Sequence, residues 1–230
     1  VSKAYSVVDY GLLESCVRDE LNASAPRAMA VLDPLKVIID NYPEGQTEEV
    51  EVDIHPERPE LGKAKITFGK EIYVEKSDFM IEPVKKYFRL FPGNEVRLKS
   101  AYFVKCVGYD TDENGNVTCV HCTYDPESRG GNSPDGRKVK GTLHWVSEAD
   151  SFKAEVRLYD RLFNKENPSD ESAGAFTENL NPESLVVLKD CLVEGGLKEG
   201  LKVGDTFQFM RQGYFCVDIT STDDNVVFNR

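Results

Sequence analysis

The sequence predicts an all-β protein, two barrels preceded by a short helical segment, and three observations carry that prediction. Beyond Pro26 the chain breaks into short runs rich in Val, Ile, Phe and Tyr. Turn residues separate those runs at close intervals, and the strand–helix alternation of a parallel α/β sheet is absent. At 230 residues the chain holds one large domain or two small ones, and its dozen candidate strands are too many for one small barrel.

The helix comes first. Leu12, Leu13, Cys16, Val17 and Leu21 recur at helical spacing over residues 9–22, with Glu14, Arg18, Asp19 and Glu20 on the other faces, and Pro26 stops the pattern. The candidate strands follow at 28–32, 35–40, 48–54, 64–68, 71–75, 95–107, 116–124, 137–147, 154–160, 184–190, 206–211 and 213–219. Asn114-Gly115 between two of them predicts a tight hairpin, because that dipeptide tolerates the positive φ such turns require. Residues 77–90 carry helical spacing through Phe79, Val84, Tyr87 and Phe88, with Pro83 confined to an early helical position or a break. Residues 164–182, acidic, polar and containing Pro and Gly, read as a long surface loop or a partly ordered insertion.

Lys plus Arg is 28 and Asp plus Glu is 40, a formal charge of −12, which argues against coating nucleic acid by bulk electrostatics. The charge is uneven. Residues 85–105 hold six cations against one acid, and residues 44–60 hold seven acids against one cation. Such segregation focuses an anion onto one face. The longest apolar run, Ala28 to Leu32, is far short of the roughly 18 residues of a membrane-spanning helix. The opening residues show neither Met nor a signal-peptide pattern, which reads as a segment within a longer protein. Cys106, Cys119, Cys122 and Cys216 lie in strand-like runs, and this usage fits a reducing, cytoplasmic home.

No phosphate-cradling Gly loop, Gly-x-Ser-x-Gly elbow or His-Glu-x-x-His occurs, so no catalytic residue, metal ligand or cofactor is predicted within this chain. Cys119-Val120-His121-Cys122 has the spacing of half a zinc site. The second half is missing, and residues i and i+3 of a strand face opposite sides, so these thiols read as structural. The basic segment says more. Alternation turns Val96 and Leu98 inward and sets Arg97 and Lys99 together on the outer face, about 7 Å apart. Lys85-Lys86-Tyr87-Phe88-Arg89 interleaves cations with aromatics, the composition that stacks unpaired bases and neutralises their backbone. The same string also fits an amphipathic helix with buried aromatics. Lys138 and Lys140 share one face at the mouth of a strand, and Trp145 reads as packing.

Longer strings carry a resemblance. They are Asn22 to Lys36, His55 to Gly62, Glu71 to Phe79, Gly93 to Tyr102, Cys122 to Asp125, Asp135 to Gly141 with His144-Trp145-Val146, Val156 to Phe163, Asn181 to Ser184 and Gly213 to Cys216. In that order, over essentially the whole chain, they resemble the glutaminyl-tRNA synthetase family. The resemblance implies the C-terminal, anticodon-binding half of a class I synthetase, with residues 1–26 ending a helical subdomain. Residues 27–80 with 148–230 would form a proximal barrel and 81–147 a distal one, both six-stranded and of the ribosomal protein L25 type. It implies a monomer whose partner is the tRNA for glutamine, bound through the anticodon loop, with no DNA or membrane partner. The parent enzyme would ligate glutamine to that tRNA with ATP, in a catalytic half whose His-Ile-Gly-His and Lys-Met-Ser-Lys-Ser type motifs are not in this sequence. The segment is therefore expected to be inactive by itself.

Carried over position by position, the family's anticodon contacts fall on Asn22, Arg27, Lys86, Arg89, Arg97, Lys99, Gln208 and Arg211. Some family members have Gln at the position of Lys86, Lys at that of Phe88 and Arg at that of Lys99. A Lys cannot make the bidentate fork of Arg. Gln208 and Arg211 have opposite strand parity, so both face RNA only where the strand bends. The competing readings are a eukaryotic-type glutamyl-tRNA synthetase with the same barrels, an L25-like RNA-binding protein and a protein-binding β module.

Overall fold

The computed structural model of the protein describes residues 10–167 and 174–230. The expectations for the opening residues, for the start of the helix at residue 9 and for residues 168–173 of the acidic loop lie outside these. The helix α1 (Tyr10–Ser24) is the one α-helix among the described residues. Its apolar stripe stays in solvent, with Leu12 61% and Leu13 56% exposed.

The strands are β1 (Arg27–Ala28), β2 (Ala30–Val31), β3 (Pro34–Ile39), β4 (Thr47–Asp53), β5 (Lys63–Gly69), β6 (Glu71–Glu75), β7 (Glu95–Leu98) and β8 (Phe103–Thr111). They continue with β9 (Val117–Asp125), β10 (Thr142–Leu143), β11 (Val146–Ser147), β12 (Ser151–Tyr159), β13 (Leu185–Glu194), β14 (Thr206–Phe209), β15 (Gly213–Val217) and β16 (Val226–Asn229). One sheet runs β1-β14-β15-β16-β12-β13-β2 and the other β10-β7-β8-β9-β3-β6-β11. In the first sheet the two end strands are separated by Met29 alone, and in the second by His144 and Trp145. One short run of chain therefore supplies both edges of each sheet, and the sheet curls back on itself. Counted around the ring, β1 with β2, and β10 with β11, are single kinked strands, so each barrel has six strands and no long free edge. The second barrel takes β3 and β6 from the chain before residue 80, across the division expected at residues 80 and 81.

Both interiors are filled by inward-facing residues at period two. Phe209 stacks on Phe215 with ring centroids 4.5 Å apart in the first barrel. In the second, Phe68 of the separate β4–β5 ribbon meets Trp145 edge-on at 5.2 Å. Val96 and Leu98 point inward, as alternation requires, and Trp145 is fully buried. The Asn114-Gly115 hairpin joins β8 to β9, with Asp112 Oδ1 accepting from the amides of Asn114 and Asn116 and Gly115 at φ 82°.

Three expectations are corrected. Residues 77–90 form no α-helix: Lys76–Asp78 make one 3-10 turn, and Phe79 bridges Leu90 as at the neck of a loop. Pro83 has no N–H to donate and Lys86 sits at φ 69°, so the spacing of apolar residues is not helical repetition. Buried Phe79 and Leu90 anchor the ends, while Val84 and Phe88 face solvent. The run 95–107 is two strands, broken at a turn where Ser100 has φ 58°, so Lys99 is no strand residue. The run 137–147 contributes only the two short pieces β10 and β11, and β16 was not anticipated.

At its kink, Met29 turns out of the first barrel into the core of the second, and its amide donates to Glu194 Oε2 at 2.8 Å. Burial pushes the Glu194 carboxyl up from 4.5 to about 7. A carboxyl raised in the fold binds its proton more tightly there than in the unfolded chain, so its contribution to stability is lost as pH rises from 4.5 through about 7. Glu194→Gln keeps the acceptor for Met29 and removes that titration. Denaturant unfolding at about pH 5 and about pH 8 is expected to show the wild type losing on the order of 3 kcal/mol more than the variant across that window.

Candidate nucleic-acid interface at the barrel seam

The first element of the site follows from strand register. Arg27 on β1 lies directly beside Gln208 on β14. They line a cavity of about 220 Å3 with Lys99, Met210, Arg211, Asp53 and Pro56. Lys99 is held just past the end of β7: its amide donates to Leu143 O at 2.8 Å, and its carbonyl accepts from Trp145 Nε1 at 3.0 Å. The bend that the parity of Gln208 and Arg211 demands is present, because β14 ends at Phe209 and Arg211 adopts φ 68° in the turn to β15. Asn22 joins through a relay: Gln208 Nε2 donates to the Tyr214 hydroxyl at 3.3 Å, and that hydroxyl donates to Asn22 Oδ1 at 3.1 Å.

A second cavity, about 590 Å3, adjoins the first and shares Arg211 with it. Lys86, Tyr87, Phe88 and Arg89 line it from the loop between β6 and β7, facing residues 141–143. Gly141 is required there: at φ 90°, a Cβ would lie 1.8 Å from Phe88 O. Phe88 offers a ring 48% exposed, with Lys140 Nζ 5.0 Å from its centroid. The Tyr87 hydroxyl donates to Ser77 O at 3.0 Å, and burial pushes it up to about 12, so it stays a donor at neutral pH.

Beneath both cavities lie two buried carboxylates. Asp78, fully buried, takes a bidentate fork from Arg211, Nη1 to Oδ2 at 2.7 Å and Nη2 to Oδ1 at 2.6 Å, and Arg89 Nε at 3.2 Å. Glu75 accepts from the amides of Leu32 and Asp33 at 2.7 and 3.1 Å and from Gln212 Nε2 at 2.6 Å. His144 stands between the two clusters, 3.3 Å from Arg211 Nη1 and 3.4 Å from Glu75 Oε1. Since Arg211 only donates, His144 Nδ1 accepts, and Nε2 carries the proton toward Glu75. The strand ends of the second barrel thus grip the β14–β15 turn of the first.

Arg97 lines neither cavity. It lies on the outside of β7 with Cζ 5.3 Å from the Phe103 ring centroid, under a Gly131 so close that a Cβ there would sit 2.8 Å from Arg97 Cδ. What Arg97 shares with Arg27 is a buried Nε that makes no hydrogen bond among the described residues. Lys86 and Lys99 likewise take part in no ion pair there. Arg137, on the same Phe103 ring, is different: Glu95, Asp125 and Asp135 surround it and neutralise it. Sequence reasoning gave no role to Asp78, Tyr214 or Asp53: the first two lie within strings that carry the resemblance, but no local pattern marks any of the three as a site residue.

Two family models match the chain, both described as the anticodon-binding domain of class I tRNA synthetases (E and Q), one over residues 25–125 and one over residues 142–218. The chain belongs to that family. Arg27 and Lys99 fall in the first matched segment and Gln208 and Arg211 in the second, so the first cavity of this anticodon-binding family member forms where the two segments meet. The chain is 56% identical over its whole length to a glutamine–tRNA ligase of Bradyrhizobium diazoefficiens. It is 50% and 48% identical to proteins of that name from Clostridium kluyveri and Vibrio campbellii. It spans 40% of the length of the first of these relatives and 41% of the other two.

Asp78→Asn removes the charge that holds Arg89 and Arg211. Breaking a dry ion pair from one side costs about 3–5 kcal/mol, and guanidiniums that reach water reduce this to roughly 2–3. Urea unfolding is expected to show that loss, whereas Asp135→Asn, at an exposed pair, should cost far less. Gly141→Ala should disturb the second cavity and the adjoining edge of β7, seen as chemical-shift changes centred on residues 86–89 and 140–143 and on Arg97, whose amide donates to Gly141 O, in an NMR spectrum.

Proposed function

We propose that this seam reads the anticodon loop of the tRNA for glutamine, as part of a glutamine–tRNA ligase that uses ATP, glutamine and that tRNA in the cytoplasm. The observation that carries the reading is the pair of adjoining cavities, one walled by Arg27 and Lys99 and the other by Lys86, none of them ion-paired among the described residues, and joined through Arg211. Bases of an anticodon loop must be unstacked and read on their Watson–Crick edges in separate pockets, and Arg and Gln donors suit the carbonyl oxygens of U and G. Lys86, with exposed Phe88, suits an unstacked base and its phosphate. Neither Arg27 nor Arg97 takes part in an ion pair among the described residues, so neither guanidinium charge is cancelled by a neighbouring carboxylate. The names of the relatives favour glutamine over glutamate as the amino acid of the parent. All six thiols are free, which agrees with a reducing compartment. No described helix is long and apolar enough to cross a membrane.

This chain carries the recognition step and none of the chemistry. No nucleotide-binding motif is present in it, so glutamine-dependent pyrophosphate exchange by the purified chain is expected to be at background.

The recognition reading is tested by titrating stem-loops with a CUG anticodon and with mismatched loops at several salt concentrations. Arg27→Ala, Arg89→Ala and Arg97→Ala are each expected to compress the difference between cognate and mismatched loops by about 1–3 kcal/mol. Lys138→Ala and Lys140→Ala should lower the salt slope by no more than about 0.7 per contact and leave discrimination intact. Full discrimination in all three Arg variants would overturn the assignment of the pockets.

A further inference from the structure

The motif Cys119-Val120-His121-Cys122 plays no part in the seam, and the fold divides it. Cys122 turns into the second barrel opposite its cross-strand neighbour Cys106, both fully buried. Cys119 and His121, two residues apart on β9, share the outer face. On that face the cross-strand neighbour of Cys119 is Asp110 of β8. A sulfur from Cys119, a ring nitrogen from His121 and a carboxylate oxygen from Asp110 all lie within 4.8 Å of one another. His121 Nε2 is 3.1 Å from Asp110 Oδ2, and Nδ1 is 2.9 Å from Asp40 Oδ1. Asp40 is fixed in turn, its amide donating to Cys122 O at 2.8 Å.

We propose that Asp110, Cys119 and His121 form a zinc-binding site on the outside of the second barrel, with Asp40 as the carboxylate that orients the histidine. The donor set decides the metal: one sulfur, one imidazole nitrogen and one carboxylate oxygen suit zinc, whereas magnesium and calcium take oxygen ligands. Carboxylates face both ring nitrogens, so both donate in the metal-free protein. Loss of the Nε2 proton frees that nitrogen, beside Asp110, for the metal, while Asp40 keeps the Nδ1–H and supplies the outer interaction that metal-bound histidines commonly have. Charge agrees, because the nearest cation in register, Lys36, is occupied by Glu71 and Glu148 at 2.5 and 2.9 Å. On binding, the Cys119 thiol and any second His121 proton pass to solvent, three protein–metal bonds form, and water completes the tetrahedron. With ligands on β8 and β9 and the outer carboxylate at the end of β3, the ion clips three adjacent strands. None of these residues lines either cavity, so the site stands or falls independently of RNA recognition.

Metal-free protein is titrated with zinc against a chromophoric chelator, and separately with cobalt, whose thiolate complexes absorb in the near ultraviolet. The expected result is one zinc per chain, a thiolate–cobalt band and a raised unfolding temperature with zinc. Cys119→Ser should abolish the band and Asp40→Asn should weaken zinc about 10- to 100-fold. Cys16→Ser, which removes an exposed thiol on α1, should change nothing. Asp110→Asn, an exposed substitution that leaves the core untouched, should also weaken zinc and guards against misfolding of the cysteine variant. Absence of stoichiometric zinc in the wild type, a band that survives Cys119→Ser or one lost with Cys16→Ser overturns the proposal.

Discussion

A carboxylate that water does not reach, Asp78, sits between the guanidiniums of Arg89 and Arg211, and the arrangement of the seam depends on it. Burying that charge is unfavourable unless it is paired and hydrogen-bonded, so wherever the fold forms, both arginines are drawn to the same point. Arg211 reaches it from a turn of the first barrel and Arg89 from a loop of the second. One interaction thereby fixes the mutual position of two barrels and aligns two cavities. Glu75 repeats the device a few residues earlier in the chain, holding the Leu32–Asp33 connection and Gln212. The arginine that closes the lock is also the wall the two cavities share. Its exposed edge is therefore presented to a ligand in a preset orientation, which lowers the ordering cost of binding.

The same physics explains how an acidic protein can offer an anion-binding face. Several cations away from the seam are cancelled locally: Arg137 by three carboxylates, Lys36 by two, and Lys63 and Lys65 by the glutamates across the β4–β5 ribbon. Arg27, Lys86, Arg97 and Lys99, at or beside the seam, take part in no ion pair among the described residues. Against a net charge of −12, this group of unpaired cations makes a local field of the opposite sign at the seam.

Periodicity and turn chemistry made part of this legible. Helix α1, the Asn114-Gly115 hairpin, the inward Val96 and Leu98 and the buried Trp145 each follow from a local pattern. Barrel closure does not, because the two-residue pieces β1, β2, β10 and β11 are too short to carry any period. The loop over residues 77–90 imitates helical spacing because its apolar residues anchor two ends of a bridge, not one face of a cylinder. In the site, Lys86, Arg89, Arg97 and Lys99 stood out from composition and alternation, although Lys99 takes its place from a turn and not from the strand. Asn22, Arg27, Gln208 and Arg211 were reached through family resemblance alone. Asp78 and Tyr214 stand within strings that carry the resemblance, but their roles are not legible there, since their partners Arg211 and Asn22 lie 133 and 192 residues away.

Amide hydrogen exchange, followed with and without a stem-loop bearing the glutamine anticodon, tests the central claim most directly. Slowed exchange is expected in residues 86–99 and 208–214, with the Asp112–Asn116 hairpin and the β4–β5 ribbon unchanged. Protection concentrated on that hairpin or ribbon, with the seam exchanging as in the free protein, would contradict it.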